Sequence, residues 1–490
     1  MAQNAQVAAG GRLTDRISLG VLASSVPRDA VDEAVAAAGR QAKRSDGRLP
    51  PHVMVYFAMA LALFADDDYE EVAVRLTETL VSWGCWDSGW AAPTSGGITQ
   101  ARQRLGYEPV RELFAAVAVP VAEELTRGAF LADWRLMAID GFEWDAPATE
   151  ENAVAFGHAG AGADRSAFPK VRVVSVSECA SHAVVDAELG PVAGKGAGEQ
   201  SLARRLYRRL DEDWLLIADR NFYNWADWCT AADSGAALLW RVKADLRLPM
   251  LEMLPDGSYR SVLINPKIRG KARQALIDAA RGGEDLDPAQ ARYVRAVEYT
   301  VPDRDGDGKD ELICLITTIG DPAAAPAQAL AGAYHQRWEH ETGNKQLKTY
   351  LRGPGRVLRS RSPDMVRQEI YGYLLTHYAI SALICRAATE ADIDPDRVKF
   401  NAPSASSAAG SATRRPFPPE QQKRSLAAVM ADITRRRNLN PRRRHRSYPR
   451  VVKRARHNSY RVKRPGDTGV RHDGPATIRL ANPVLIDTAA

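Results

Sequence analysis

The order of apolar and amphipathic segments between residues 134 and 242 constrains the fold more than any other feature of this 490-residue chain. Five short apolar runs are typical of buried strands, and two stretches between them have helical spacing. The predicted strands lie at residues 136–139, 171–178, 182–189, 215–218 and 236–242, and the predicted helices at 198–210 and 221–232. The order strand-strand-strand-helix-strand-helix-strand predicts an α/β domain.

Two carboxylates stand where predicted strands end. Asp140 follows the first strand and precedes Gly141, and Asp219 follows the fourth strand. Carboxylates at strand ends, joined by one from a helix packed beside the sheet, can converge on a pair of divalent cations. Together with the strand order, they give this segment the outline of a ribonuclease-H-like fold.

A third carboxylate belongs to a polar helix face. A long helix is predicted from about residue 326 to residue 351. Four of its residues share one side, within about 60° at about 100° per residue: Tyr334, Arg337, Glu341 and Lys348. A face that packs into a core would be apolar, so this face lines something polar. A salt-bridged helix surface, with Glu341 four residues from Arg337, explains the same pattern.

Asp140, Asp219 and Glu341 together offer the oxygen ligands that Mg²⁺ prefers. Two such ions can activate an attacking oxygen and stabilise the leaving one. On the same helix face, Arg337 and Lys348 would hold DNA phosphates, and Tyr334 would bond a phosphate or stack on a base. The three carboxylates are therefore candidate metal ligands and catalytic residues.

The spacing Tyr-x2-Arg-x3-Glu-x6-Lys of the polar helix face resembles the signature of bacterial transposases of the insertion-sequence-four family. Asp140-Gly141 and residues 218–223 (Ala-Asp-Arg-Asn-Phe-Tyr) resemble the family's two Asp motifs. The segment between Asp219 and Glu341 looks like the family's β-rich insertion. Residues 48–106 resemble the N-terminal domain of part of the family, and the likeness extends to about residue 390.

This resemblance implies a DDE transposase that moves an insertion sequence by cut and paste. It implies a catalytic triad of Asp140, Asp219 and Glu341 with Mg²⁺, for which Mn²⁺ can substitute. It also implies nicking by water at terminal inverted repeats, excision through a DNA hairpin, strand transfer into target DNA, and action as a homodimer. In some members a tryptophan in or near the insertion holds a flipped base. Trp240 is a weak candidate for that role, since packing in the core explains it better.

The first 128 residues have apolar positions at helical spacing and are predicted to form a helical DNA-binding domain. Residues 94–97 (Thr-Ser-Gly-Gly) predict a turn and a helix cap before a short helix over residues 98–105. Arg102 and Arg104 on that helix could reach base edges or phosphates, as in a helix-turn-helix element. A solvated helix face explains both arginines equally well.

Basic charge is concentrated near the end of the chain. Residues 435–464 hold 14 of the 66 Lys and Arg residues and no acid, so the remaining 52 basic residues stand against 60 acidic ones. Such a block, which includes Arg442, Arg443 and Arg444, suits the phosphate backbone of double-stranded DNA. The alternative is a solvated, disordered tail.

These features divide the chain into five predicted segments. They are a helical N-terminal DNA-binding domain (1–128), the first part of the catalytic core (129–242), a β-rich insertion (243–312), the second part of the core with the Glu341 helix (313–390), and a C-terminal linker with the basic DNA-contacting tail (391–490).

Residues 303–310 resemble the start of an EF-hand loop, but Cys314 stands at the twelfth position, so a charged hairpin turn is predicted. Residues 402–413 are low in complexity where a transposase would continue as ordered helix, which puts the activity of this copy in question.

Several other residues are predicted to have structural roles and no part in catalysis. Four histidines show no metal-ligand spacing among them, so structural roles are predicted for them: His158, His182, His335 and His340. Asp145 is interpreted as a loop acid in preference to a partner of Asp140. Residues 53–65 form an apolar run too short for a membrane span, which predicts a buried helix. We expect a cytoplasmic, nucleoid-associated protein with no membrane contact.

Two alternatives to a transposase stay open. A DNA-binding protein that has lost catalysis would explain the basic tail and the N-terminal helices. A metal-dependent nuclease of the same fold would explain the carboxylates. Only a transposase predicts both metal-dependent cleavage and the joining of cut ends to target DNA.

Overall fold

A computed structural model describes residues 25–42, 49–82, 93–301, 311–400, 419–441, 446–447, 470–471 and 479–480. The predicted hairpin turn at residues 303–310 and the low-complexity stretch at residues 402–413 lie outside the described residues. Most of the basic block at residues 435–464 also lies outside them.

The helices and strands of the described residues have the following bounds, each type numbered in chain order. The helices are α1 (Arg28–Ala37), α2 (Pro51–Leu63), α3 (Tyr69–Ser82), α4 (Ser95–Leu105), α5 (Glu108–Val117), α6 (Glu150–Phe156), α7 (Glu199–Leu206), α8 (Trp225–Ala232), α9 (Gly270–Arg281), α10 (Ala327–His335), α11 (Arg337–Lys345), α12 (Pro363–Glu390) and α13 (Pro419–Ile433). The strands are β1 (Phe130–Leu131), β2 (Trp134–Asp145), β3 (Lys170–Glu178), β4 (Val184–Pro191), β5 (Trp214–Ala218), β6 (Ala237–Val242), β7 (Met250–Met253), β8 (Tyr259–Ile264), β9 (Ala291–Val301), β10 (Glu311–Thr317), β11 (Arg446–Ser447), β12 (Val470–Arg471) and β13 (Arg479–Leu480).

The chain divides into two compact units. Unit 1 comprises Met1–Ala129, Gly141–Leu202 and Glu339–Asn440, and unit 2 comprises Phe130–Asp140, Ala203–Trp338 and Pro441–Ala490. The division passes through β2, between Asp140 and Gly141. The boundaries of the two units do not follow the five predicted segments, because the N-terminal helices of unit 1 pack against α12, which lies far along the chain.

The long helix α12 is the centre of the core of unit 1, where it packs against α2, α5 and α13. Every residue of α2 from Val53 to Leu63 is buried. This burial confirms the predicted buried helix over residues 53–65. Within the described part of the chain, no helix combines the length and the apolar character that a membrane crossing needs.

The backbones of α2 and α12 approach each other at Gly372. A Cβ atom at this position would lie 2.3 Å from the carbonyl oxygen of Ala58, a distance that no real side chain tolerates. One turn further along α12, Thr376 Oγ1 donates a hydrogen bond to the Met59 carbonyl at 3.0 Å. The N-terminal helices therefore belong to the same core as α12.

Replacing Gly372 with Ala should destabilise unit 1, because the added methyl group must push α2 and α12 apart. We expect a loss of about 1–3 kcal/mol, as in other overpacked cores, seen as a lower melting temperature by circular dichroism. Gly332→Ala is the matched control, since a Cβ on Gly332 meets nothing within 4 Å. A melting temperature of Gly372→Ala equal to that of the control would contradict the close approach.

The strands of unit 1 form an antiparallel pair, β3 with β4, with a register shift between Val176 and Ser177. The other neighbour of β3 is β2, the last residues of which lie in unit 1. Lys170 Nζ, on the first residue of β3, lies 2.7 Å from Asp145 Oδ1, on the last residue of β2. Asp145 is thus the last residue of a strand and is ion-paired, so its interpretation as a loop acid was wrong.

Unit 2 contains a mixed sheet. Its first strands are parallel, with β5 between β2 and β6, and the sheet continues through antiparallel β10, β9, β8 and β7. The predicted strands and helices of residues 134–242 are present in the predicted order as β2, β3, β4, α7, β5, α8 and β6, but the short helix α6 (Glu150–Phe156), which was not predicted, lies between β2 and β3. The architecture is mixed α/β.

The predicted β-rich insertion contains a helix that the sequence analysis missed. α9 packs on β8 and β9, where Ile277 and Ala280 form a small core with Val262, Ile264 and Ala291. Ile277 and Ala280 are three residues apart and share one helix face, so the local pattern was present in the sequence. Beyond residue 390, α13 likewise forms a helix in the segment predicted to be a linker.

The predicted continuous helix over residues 326–351 is wrong, because it is interrupted twice. α10 ends where the N–H of Gln336 bonds to the carbonyl of Ala333, three residues back, at 2.9 Å. After α11, residues Gln346–Leu351 form a π-helical turn. A π turn adds a residue per turn, so a uniform 100° step does not relate Tyr334 to Lys348.

Candidate active site

Asp140 and Asp219 are brought side by side in unit 2. Ile139 and Ala218 form the last register pair between parallel β2 and β5, and each aspartate follows its member of that pair. Neighbouring strands lie about 4.8 Å apart, and carboxyl ends of parallel strands are where open α/β sheets bind ligands. Both side chains are partly exposed. The strand pairing therefore creates a two-carboxylate edge.

A tight turn holds Asp219 at this edge. The backbone N–H of Arg220 donates to Asp219 Oδ1 at 2.7 Å, and the N–H of Phe222 donates to the Asp219 carbonyl at 3.0 Å. Phe222 is 1% exposed and anchors the turn in the core. One carboxylate oxygen of Asp219 is thus oriented by its own loop.

Arg337, the first residue of α11, reaches the other aspartate. Its Nη1 lies 3.5 Å from Asp140 Oδ2, and its side chain is only 9% exposed. The guanidinium also lies over the ring of Trp338, 5.2 Å from the centroid. A nearly buried cation beside a partly exposed carboxylate is placed to meet an anion that approaches this edge.

Tyr334 and Arg241 complete the polar cluster of unit 2. Burial, with the negative charge of Asp219 in second place, raises the pKa of Tyr334 to about 12, so the phenol stays neutral at physiological pH. Burial alone would lower the pKa of Arg241, but Tyr334, Glu311 and Asp219 raise it overall. Arg241 Nη2 also donates to Glu311 Oε1 at 3.0 Å. The sequence analysis missed Arg241, although it is the one charged residue in the apolar strand β6.

Glu341 and Lys348 lie in unit 1. Glu341 is partly exposed on α11, and Lys348 is half-buried in the π turn, with Nζ 5.9 Å from the ring centroid of Phe142. Burial lowers the pKa of Lys348, and the charges of Arg352 and Lys170 lower it further against the opposite effect of Glu143 and Asp145.

The three predicted metal ligands are divided between the units, Asp140 and Asp219 in unit 2 and Glu341 in unit 1. Across the residues that the structure describes, no group of three or more His, Cys, Asp or Glu side chains lies close enough to hold a metal ion. The structure therefore brings together the two aspartates, with Arg337, Tyr334 and Arg241 as their polar neighbours.

The prediction that Arg102 contacts DNA is wrong, because this side chain is 2% exposed. Its guanidinium is bonded inside unit 1 to three side chains: Gln368 Oε1 at 2.9 Å, Tyr69 OH at 2.5 Å and Ser360 Oγ at 3.0 Å. The predicted cap is confirmed, since Thr94 Oγ1 accepts a bond from the Gly97 N–H at 3.4 Å. Arg104 is exposed on the same helix, and Arg442, Arg443 and Arg444 lie outside the described residues.

Arg102 and Arg104 should therefore respond differently to substitution. Arg102→Met leaves Gln368, Tyr69 and Ser360 without their buried partner and should cost roughly 2–4 kcal/mol, seen as a lower melting temperature. Arg104→Met is the matched control and should melt like the parent. Equal melting temperatures for the two variants would show that the Arg102 network adds no stability.

The remaining singled-out residues have structural partners. Trp240 is fully buried, with its ring 5.4 Å from those of Trp228 and Tyr207, which confirms its packing in the core. His158 Nδ1 lies 2.7 Å from the Ser166 carbonyl oxygen, and His335 Nε2 lies 3.4 Å from Tyr299 OH.

Comparison with known proteins identifies the family of this chain. Residues 16–115 match the family described as insertion element 4 transposase N-terminal, and residues 133–378 match the family described as transposase DDE domain. The chain is 25% identical over 417 residues to the transposase InsG for insertion sequence element IS4 of Escherichia coli K12, covering 83% of this chain and 86% of that protein. It is 28% identical over 197 residues to the putative transposase InsZ of the same organism, covering 39% of this chain and 62% of that one.

Among solved structures, the chain is similar to the piggyBac transposase in a synaptic complex with hairpin DNA. The TM-score is 0.40 and the identity 9%, over 86% of this chain and 80% of that chain.

The match to the transposase DDE domain shows an enzyme of the DDE class, and enzymes of this class generally use divalent metal ions. The chain belongs to the insertion-sequence-four family of DDE transposases. It is a DNA transposase of an insertion sequence.

Proposed function

We propose that this transposase moves its element by cut and paste, with Asp140, Asp219 and Glu341 as the catalytic carboxylates. The observation that carries the proposal is the register of β2 and β5, which places Asp140 and Asp219 next to each other at the carboxyl edge of parallel strands. We propose a ribonuclease-H-like core, supported by the order of the strands and by the parallel pairs β2–β5 and β5–β6.

Mg²⁺ is the proposed cofactor, with Mn²⁺ as a substitute. Asp140 and Asp219 fit a hard cation because both offer partly exposed carboxylate oxygens from a fixed backbone, and Glu341 would supply a third carboxylate. Bound in pairs, such ions activate a water oxygen and stabilise the leaving 3′ oxygen of a phosphodiester. These three residues would hold the metal ions.

Cationic side chains near the carboxylates are proposed to hold the DNA backbone. Arg337 is anchored at Asp140 and Arg241 carries its charge beside Asp219, so both can bind non-bridging phosphate oxygens. The neutral phenol of Tyr334 can donate a hydrogen bond to a phosphate. Lys348 is proposed as a further phosphate ligand on the side of Glu341.

The remaining parts of the proposal concern DNA and assembly. We propose that residues 1–128, through Arg104, and the basic block with Arg442, Arg443 and Arg444 bind double-stranded DNA. We further propose that two copies act on paired terminal inverted repeats, with excision through a DNA hairpin, and that the protein works on the nucleoid in the cytoplasm.

The triad is tested by three isosteric variants: Asp140→Asn, Asp219→Asn and Glu341→Gln. Each should lower Mg²⁺-dependent nicking of DNA that carries the terminal repeats by at least about 10³-fold, because each removes an anionic metal ligand. DNA binding, measured by gel shift, should stay within about twofold of the parent. If Glu341→Gln nicked at the parental rate, the assignment of the triad would be wrong.

The same assay separates the alternatives. A DNA-binding protein without catalysis would bind the terminal repeats and nick none of them with Mg²⁺. A nuclease of the same fold would nick them but join no product to target DNA. The proposed transposase gives both nicked and joined products.

Deletion of residues 435–464 tests the tail. The deletion removes 14 basic residues, so affinity for DNA should fall and the slope of log K against log salt should become shallower. The measurement is fluorescence anisotropy at several salt concentrations, with Arg386→Gln as a control at an exposed arginine outside both proposed DNA-binding regions. An unchanged salt slope would mean that the tail makes no phosphate contacts.

A further inference from the structure

A chain of buried polar side chains in unit 1 ends on the helix that carries Glu341. His182 Nε2 lies 2.8 Å from Glu339 Oε2, and His182 Nδ1 lies 2.9 Å from Gln346 Nε2. Gln346 Oε1 in turn lies 2.9 Å from His377 Nε2. All four side chains are buried. This series of hydrogen-bonded side chains thus connects α11 and the π turn to α12 and to the turn between β3 and β4.

The hydrogen bonds of this chain run in one direction. A carboxylate only accepts, so His182 donates through Nε2–H to Glu339, and its Nδ1 accepts from the Gln346 amide. The Gln346 carbonyl then accepts from the Nε2–H of His377. Burial is the main cause that lowers the pKa of His377 to about 3, so its ring is neutral. The orientation of the Gln346 amide is therefore fixed at both ends.

His182 is presented by a strained turn. Its φ of 61° lies in the left-handed region, which costs a residue with a Cβ roughly 1 kcal/mol. The turn is held by the His182 N–H, which donates to the Glu178 carbonyl at 3.0 Å, and by Ser181 Oγ, which donates to Glu178 Oε2 at 2.5 Å. A strained residue that is held this firmly is typical of a site that must place a side chain accurately.

The neighbours of Glu341 are fixed by contacts on the buried side of α11. His340 is held between Ser177 Oγ at 2.5 Å from Nδ1 and Ser175 Oγ at 3.3 Å from Nε2, both on β3. Gly343 packs against His182, where a Cβ would lie 3.5 Å from the His182 carbonyl oxygen. Glu339, His340 and Gly343 thus face the interior, and Glu341 points toward the exposed side.

We propose that His182 and Gln346 are positioning residues, which fix the rotation of α11 and thereby direct the carboxylate of Glu341. This inference rests on the proposed role of Glu341 as a metal ligand. The π turn contributes, because a π turn shifts the helical register by one residue at the point where Gln346 enters the core. Groups that orient a metal ligand typically change metal affinity or rate by roughly 10- to 100-fold when they are removed.

The first test compares Gln346→Met with Thr376→Val. Met fills a similar volume without either hydrogen bond, and Thr376→Val removes one buried bond of α12 to the Met59 carbonyl, away from α11. We expect Gln346→Met to nick terminal-repeat DNA roughly 10- to 100-fold more slowly and to bind Mn²⁺ more weakly by electron paramagnetic resonance, with DNA affinity unchanged. Thr376→Val should lower the melting temperature and nick at the parental rate.

Two results would overturn the inference: a parental nicking rate for Gln346→Met, or an equal loss of rate in Thr376→Val. A pair at His377 gives the same information if Gln346→Met does not fold. His377→Gln keeps an N–H donor for the Gln346 carbonyl and should retain activity, whereas His377→Leu removes the donor and should lose it. Equal rates for the two His377 variants would contradict the positioning role.

Failure of this inference is distinguishable from failure of the proposed function. If Glu341→Gln is inactive and Gln346→Met is fully active, the triad stands and the positioning role falls. If Glu341→Gln retains activity, the proposed role of Glu341 falls, whatever the Gln346 variant does.

Discussion

The parallel pairing of β2 with β5 is the constraint on which the proposed chemistry of this transposase depends. The pair ends at Ile139 and Ala218, and the residue that follows in each strand is an aspartate. Backbone hydrogen bonds that fix a sheet register thus also fix the spacing of two negative charges. Repulsion between two such carboxylates is relieved by cations, and the protein itself supplies the first of them through Arg337 and Arg241.

Much of the catalytic segment could be predicted from local pattern. Each strand of the β2–β6 region contains a short apolar run, and Asp140 and Asp219 come directly after two of these runs. The length of the runs and the polar residues that end them were therefore sufficient to locate the strands. The signature at Tyr334, Arg337, Glu341 and Lys348 located the polar residues but not their geometry. The breaks at Gln336 and at the π turn depend on what the helix packs against, which a uniform helical period does not contain.

Several of the errors share one physical cause, a contact between residues far apart in the chain. The residues next to Arg102 in the sequence are typical of an exposed helix. Its partners Gln368 and Ser360, which show that it is buried, lie more than 250 positions away. Arg241 and the buried chain from Glu339 to His377 are further cases, because no local spacing indicates which polar side chains will meet in a core. The division of the three carboxylates between two compact units was equally absent from the sequence pattern.

The fit of Gly372 against Ala58 has a consequence for the gene as well as for the protein. Because α2 is buried on all sides and α12 supplies much of its surroundings, the N-terminal helices are not a detachable module. A copy of the element that had lost its 5′ end would encode a chain in which the apolar surface of α12 faces water. Such a truncated product would aggregate or be degraded, so it would not persist as a free competitor of the intact transposase.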